Sequence, residues 1–302
     1  RNRFPIKAAA DGGGSEMPLT KDEVRQLLET AHQTMSAARG QIRRPLNQSA
    51  RVSMVVVDTT GEILGLVIGS DAPIFGLDVA VQKARTATFF SSELAATYLV
   101  GLNRDEISDY VQRVRVFLND PLALTGQHAF SDRAGGNLSR PYFPDGELGR
   151  PHGPLSRPIT EWSPFATGLQ ESLVRPEVVN HLGFVDGTSD KGAANECVGL
   201  LNEGGDIHLL GNGIQIFPGS VPIYRGSTLI GGIGVSGDGV DQDDMIAFLS
   251  VHLAGEASGT FGNAPKEIRA DTIEVDNVRL RYISCPFNPF LDESEQEVCN
   301  GK

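Results

Sequence analysis

Apolar positions along the chain alternate between two periods. In the stretch 20–40, Val24, Leu27, Leu28, Ala31 and Met35 recur at helical spacing, which places them on one stripe of a helix. Thr20 and Glu23 give that helix a capping-box start, each side chain satisfying a free amide of the first turn, and Gly40 marks its expected end. Residues 52–57 are rich in β-branched types, Asp58-Thr59-Thr60-Gly61 is a turn, and 63–68 is a second apolar run. The pair predicts a β-hairpin. Beyond Ser70-Asp71-Ala72-Pro73, Leu77, Ala80, Val81, Ala84 and Ala87 mark a helix whose buried face is lined with small residues. A further helix is expected over 104–118.

The pattern changes at 132–212. Prolines at 141, 144, 151, 154, 158, 164 and 176 are interleaved with Gly, Ser and Arg. Proline fixes φ and withholds a backbone donor, so this stretch predicts neither a regular sheet nor a long helix. Its aromatic residues Tyr142, Phe143, Trp162, Phe165 and Phe184 do not suit a disordered linker. It reads as an ordered, irregular excursion packed over the main domain by those aromatics, either covering a site or building a subunit contact. Regularity returns at 213. Runs at 221–224 and 228–235 around Arg225-Gly226-Ser227 predict a second hairpin, 236–239 a loop, and 241–253 a helix capped by Asp241. Residues 275–283 alternate well enough for a late edge strand. The expected organisation is an N-terminal arm at 1–17, one domain in two halves at 18–131 and 213–258, the insertion at 132–212, and an extension at 259–302.

Composition narrows the functional classes. Hydrophobic residues make up 40% of the chain, enough for a core, and no run approaches the ~18 apolar residues of a membrane-spanning helix. The net charge is −12 and the only basic cluster is Arg39, Arg43 and Arg44. That cluster is expected near a helix end, where cations complement the dipole. Nucleic-acid binding needs a continuous basic face and is not expected. Cys285 and Cys299 flank a short acidic segment; a disulfide would staple a tail with little else to hold it, and two unrelated thiols are the alternative. Cys197 is left over, either free or paired outside the chain. The first residue is Arg1, consistent with loss of an upstream signal peptide, tag or domain. Together these features point to an exported protein, periplasmic or extracellular.

Two segments carry a more specific signal. In 55–90 stand Val57-Asp58, Gly61, Asp71-Ala72-Pro73 and Lys83-Ala84-Arg85-Thr86-Ala87; in 221–248 stand Ile233-Gly234-Val235-Ser236-Gly237 and Gln242-Asp243. Both resemble signature regions of the GlcG/HbpS-like family, also called the haem-degrading domain family. The resemblance implies an α+β, profilin-like domain with a central antiparallel sheet flanked by helices, here divided by a long irregular insertion. It also implies self-association, so a homo-oligomer is expected, and binding of haem or a related tetrapyrrole.

Several residues are candidates for holding such a ligand. Asp71 either accepts turn amides or faces the ligand. Lys83 and Arg85, by the family match, suggest a cationic pair for an anionic group such as a haem propionate, with a solvated face or subunit salt bridge as the alternative. The glycine-rich run 231–239, including Gly234, Ser236 and Gly237, could cradle an anion with backbone amides. It lacks the ending of a phosphate loop. Asp238, Asp241, Asp243 and Asp244 do not have EF-hand spacing. Haem requires an axial ligand; His32 and His128 are the leading candidates among six histidines, and no Cys-x-x-Cys-His is present. No nucleophile elbow or activated thiol is apparent, so no catalytic residue is assigned. The leading expectation is a non-enzymatic haem- or tetrapyrrole-binding protein. A structural or accessory subunit with a larger protein partner, in a redox or extracellular assembly, is one alternative. An enzyme acting on a small organic acid or tetrapyrrole is another.

Overall fold

The computed structural model describes residues 5–10, 17–144, 147–163, 167–190, 210 and 213–302. The glycines at 12–14, Phe165, Cys197 and His208 lie outside the described residues. The elements in chain order are α1 (Lys21–Ala37), β1 (Ser53–Val57), β2 (Ile63–Ile68), α2 (Phe75–Phe90), α3 (Ala95–Gly101), α4 (Asp105–Phe117), α5 (Asp132–Leu138) and α6 (Leu169–Val185). They continue with β3 (Ser220–Arg225), β4 (Thr228–Ser236), α7 (Val240–Ser258), β5 (Gly262–Asn263), β6 (Glu274–Val275) and β7 (Val278–Arg279).

The two hairpins close into one antiparallel sheet of order β2-β1-β4-β3-β5. The join is β1 on β4, with Val55 opposite Gly234 and Val57 opposite Gly232. Strand alternation then assigns the two faces. Met54, Val56, Leu64, Ile233 and Val235 join the large core with α1 and α7, whereas Val55, Val57, Ile63 and Leu66 pack with Ala80, Val81 and Ala84 of α2. The fold is therefore α+β, a central antiparallel sheet with helices on both faces.

The expected capping box of α1 is present, Glu23 N donating to Thr20 Oγ1 and Thr20 N to Glu23 Oε2. Glu23 also joins the two halves of the sheet domain. Its carboxylate takes a bidentate pair from Arg225, at 3.0 and 3.2 Å, and a hydroxyl from Thr260.

Four local expectations are corrected. Residues 169–185 form a helix although Pro176 lies inside it. Pro176 cannot donate to the Ser172 carbonyl, and the Arg104 guanidinium takes that carbonyl instead. The late strand shrinks to the two-residue pair β6–β7, which is separate from the main sheet. Arg39 and Arg43 do not serve the dipole of α1, whose last turn carries no basic residue. Arg39 binds the carbonyls of Phe290 and Leu291, and Arg43 those of Arg51 and Asp71. Finally, α7 starts at Val240 with Gly239 at its cap and no side-chain bond there, so Asp241 lies within the first turn, where it binds Arg133. The tail that Arg39 holds is closed by the disulfide Cys285–Cys299.

The hydrogen bonds on Glu23 have a pH signature. Burial alone would raise its carboxyl, but the bonds from Arg225, Thr260 and Thr20 outweigh burial and hold it at about 2. A carboxyl depressed in the folded state contributes stability that is present above its unfolded value and is lost as pH falls through the folded value. Glu23→Gln is therefore expected to destabilise the protein at pH 7, and the difference from wild type should disappear as pH is lowered from about 4.5 toward 2. Urea unfolding at stepped pH reads this directly; a difference that does not depend on pH would refute it.

Candidate functional site

The seating of α2 on the sheet fixes where any site can lie. A Cβ at Gly234 would come 2.0 Å from Ala80 O and 2.5 Å from Ala84 N, and one at Gly232 would come 2.3 Å from Thr88 Oγ1. Only glycine on β4 lets the helix backbone approach that closely, and the alanines of α2 complete the fit. The run 231–239 is thus divided close to where the sequence pattern divides it, between a strand and a loop. Gly234 and Ser236 belong to β4 and face a packed helix, so a loop begins only at Gly237. The backbone of Gly237 has positive φ, and the neighbouring Asp238 carboxylate accepts from Gln41 N at 2.6 Å.

Lys83 enters the same contact from the helix side. Its side chain is 2% exposed, and its Nζ donates to Val235 O and Asp243 Oδ2, each at 2.9 Å. Thus the lysine of the first signature and the Gln-Asp carboxylate of the second meet as a buried ion pair. Beside it, Arg133 of α5 binds Asp244 through Nε and Asp241 through Nη2. Asp244 also accepts Ser284 N at 3.0 Å. Asp132 completes the cluster, with its backbone N on Ser220 Oγ at 3.3 Å. Burial holds the Asp132 carboxyl well above the usual carboxylate range, against the pull of Lys83 and Ser220. Burial also pushes Asp243 up to about 6, opposed by Lys83.

Lys83 and Arg85 are thereby split. Arg85 points from α2 to the opposite side, where its Nε donates to Gly61 O at 2.9 Å, and it lines an open groove of about 830 Å³. The groove exists because β2 is an edge strand that overhangs α2. Ile63, Leu66 and Ile68 form its floor, and Ile74, Leu77 and Val81 form its wall. Ile68 and Ile74 are 52% and 94% exposed. Lys7, Glu62, Asp78 and Arg85 supply the polar rim, with Lys7 paired to Glu62. Apolar walls with a few polar groups at one border are the usual make-up of a small-molecule site.

The other sequence candidates lie elsewhere. Asp71 is an exposed turn residue with positive φ, and its carbonyl accepts from Arg43 at 3.1 Å. His32 is exposed on α1, on the face of the sheet opposite α2. His128 sits beside Asp120, Nε2 to Oδ2 at 3.3 Å, with its ring edge against Phe130. Sequence reasoning missed the groove and the buried partners Asp132 and Arg133. A signal for the groove was present: 63–68 is apolar at nearly every position, whereas a strand covered on one face alone alternates apolar and polar residues.

Residues 187–251 match the family model described as "Haem degrading protein HbpS-like". That stretch is similar to the family. The matched region includes β3, β4 and most of α7, hence both partners of Lys83, while the first signature at 55–90 lies outside it. No curated protein matches the chain. Among the solved structures that align, two do so at low similarity. The crystal structure of a PduOC:heme complex covers 82% of this chain and 100% of its own, at 16% identity and TM-score 0.35. The Klebsiella pneumoniae protein ORFY covers 80% and 94%, at 13% identity and TM-score 0.32. Scores this low carry no weight for the fold, which rests on the sheet itself.

Breaking one side of a buried ion pair strands the other charge. Lys83→Met is expected to cost about 3–5 kcal/mol at neutral pH. The loss should shrink as pH is lowered toward about 4, where the stranded Asp243 carboxyl protonates without penalty. The double variant Lys83→Met/Asp243→Leu should recover much of the stability. Equal losses at both pH values, or no recovery, would show that the pair does not hold the junction.

Proposed function

We propose that the protein binds haem or a related tetrapyrrole without transforming it, and that the groove between β2 and α2 receives the ring. The observation that carries this reading is the groove itself, an apolar trough on an exposed sheet edge with Lys7 and Arg85 at its rim. A flat, apolar macrocycle bearing carboxylates has the complementary make-up: its body covers Leu66, Ile68, Ile74 and Leu77, and its acids reach the cations. The Lys7–Glu62 pair is half-exposed on both sides, and such pairs are worth little, so an incoming carboxylate replaces Glu62 at small cost. The HbpS-like match over 187–251 supports the same ligand class. Export of the chain, periplasmic or extracellular, is part of this proposal and is compatible with the disulfide.

Haemin titration followed in the Soret region tests the reading. Saturable binding is expected, weakened about tenfold or more by Ile68→Asp or Ile74→Asp, since each sets a charge against the ring face. Both residues are surface-exposed, so the variants should fold as the wild type does. Binding that both variants leave untouched would move the ligand out of the groove.

A second reading, self-association through an exposed helix face, draws on α6. Its start is buried through Leu169 and Leu173, while Val178, Leu182 and Val185 are exposed on one helical face. Among the described residues, apolar side chains gathered in this way fit a protein contact. Light scattering should then give a mass above that of one 32.3 kDa chain, reduced by Val178→Glu/Leu182→Glu. A single-chain mass for both proteins would oppose self-association through this face.

A further inference from the structure

The donors in the groove do not suit iron. Haem iron is held in proteins by His, Met, Cys or Tyr side chains, and none of these lines the groove among the described residues. The segments flanking the described stretch 5–10, residues 1–4 and 11–16, contain none of the four types in sequence either. The two histidines singled out by sequence are at other places. His32 lies on α1, which packs on the opposite sheet face, and His128 is engaged with Asp120. What the groove does offer is hydrocarbon and charge. Ile63, Leu66, Leu77 and Val81 are supplied by the two elements that bound it, and Lys7 and Arg85 flank Glu62 at its border.

From this juxtaposition we infer that the site selects the porphyrin ring and its carboxylates, and does not read the metal. This deepens the proposed function and rests on it. The free energy of binding comes from apolar area removed from water, about 25 cal/mol per Å², and from charge-assisted hydrogen bonds to the carboxylates. Both contributions are the same for an iron porphyrin and for its metal-free parent. Were haem bound, the side chains of this groove would hold the ring and its carboxylates and would supply no ligand to the iron. The ligand class is accordingly tetrapyrrole dicarboxylates in general, including metal-free protoporphyrin.

The test uses the full chain and three probes: haemin, metal-free protoporphyrin IX, and the dimethyl ester of protoporphyrin IX. Haemin is followed by absorbance and the metal-free rings by fluorescence. Haemin and protoporphyrin IX are expected to bind with Kd values within about threefold of each other, and the diester about tenfold more weakly than the diacid. Arg85→Ala should weaken haemin and protoporphyrin IX by the same factor. Imidazole added to the haemin complex should convert the spectrum to a six-coordinate form without releasing the ring. Three results would overturn the inference while leaving the proposed function standing. These are haemin binding more than about tenfold tighter than the metal-free ring, a six-coordinate spectrum before imidazole is added, or an axial signature lost in His32→Ala or His128→Ala. Binding of neither haemin nor protoporphyrin IX would overturn both readings.

Discussion

The close contact of α2 with β4 is the constraint from which the rest of the molecule follows. Gly232 and Gly234 remove side chains from the strand where Ala80, Ala84 and Thr88 press in, and the Lys83 ammonium crosses that contact to Val235 O and Asp243. A lysine so deeply buried has lost its hydration, and an unpaired charge there would cost several kcal/mol. The carboxylate of α7 therefore has to be in place for α2 to seat. This couples helices from opposite faces of the sheet and from distant parts of the chain.

The same seating creates the candidate site. With α2 drawn onto β4, β1 and β3 by its glycine contact, the edge strand β2 is left with an apolar face only half covered. That face is bordered by four charged side chains and partly shielded by the segment at 5–10, where Lys7 N donates to Leu64 O at 2.9 Å. The groove thus arises from an offset between helix and sheet. It draws its residues from a hairpin, a helix and the N-terminal segment, and Arg85 is the single one among them that sequence reasoning had marked.

Periodicity made the frame legible. The capping box at Thr20 and Glu23, the hairpins at 52–68 and 221–235, and the small-residue face of α2 all depend on neighbours within a few residues, and all appear where expected. Less legible was the stretch after 132. Its prolines argued against a long helix, yet α6 tolerates Pro176 because Arg104, far away in sequence, satisfies the orphaned Ser172 carbonyl. Whether the glycines at 231–239 cradle an anion or admit a helix was not legible either. Glycine suits both a loop and a crowded strand, and only the position of α2 distinguishes them.

By itself, the sequence determined the capped first helix, the two hairpins, the helices α2, α4 and α7, and the residue types of both signatures, since helix and strand periods and caps are local properties. It also supplied the charge balance that speaks against nucleic acid, and the spacing that allowed Cys285 to meet Cys299. The tertiary structure decided how the charges are used. It turned Lys83 inward and Arg85 outward although they stand two residues apart, because successive helical positions point in directions about 100° apart and only one of those directions meets Asp243. It also set His32 and His128 apart from the groove. Which side chains share a surface depends on how helices pack on a sheet, and that packing is a property of the whole chain.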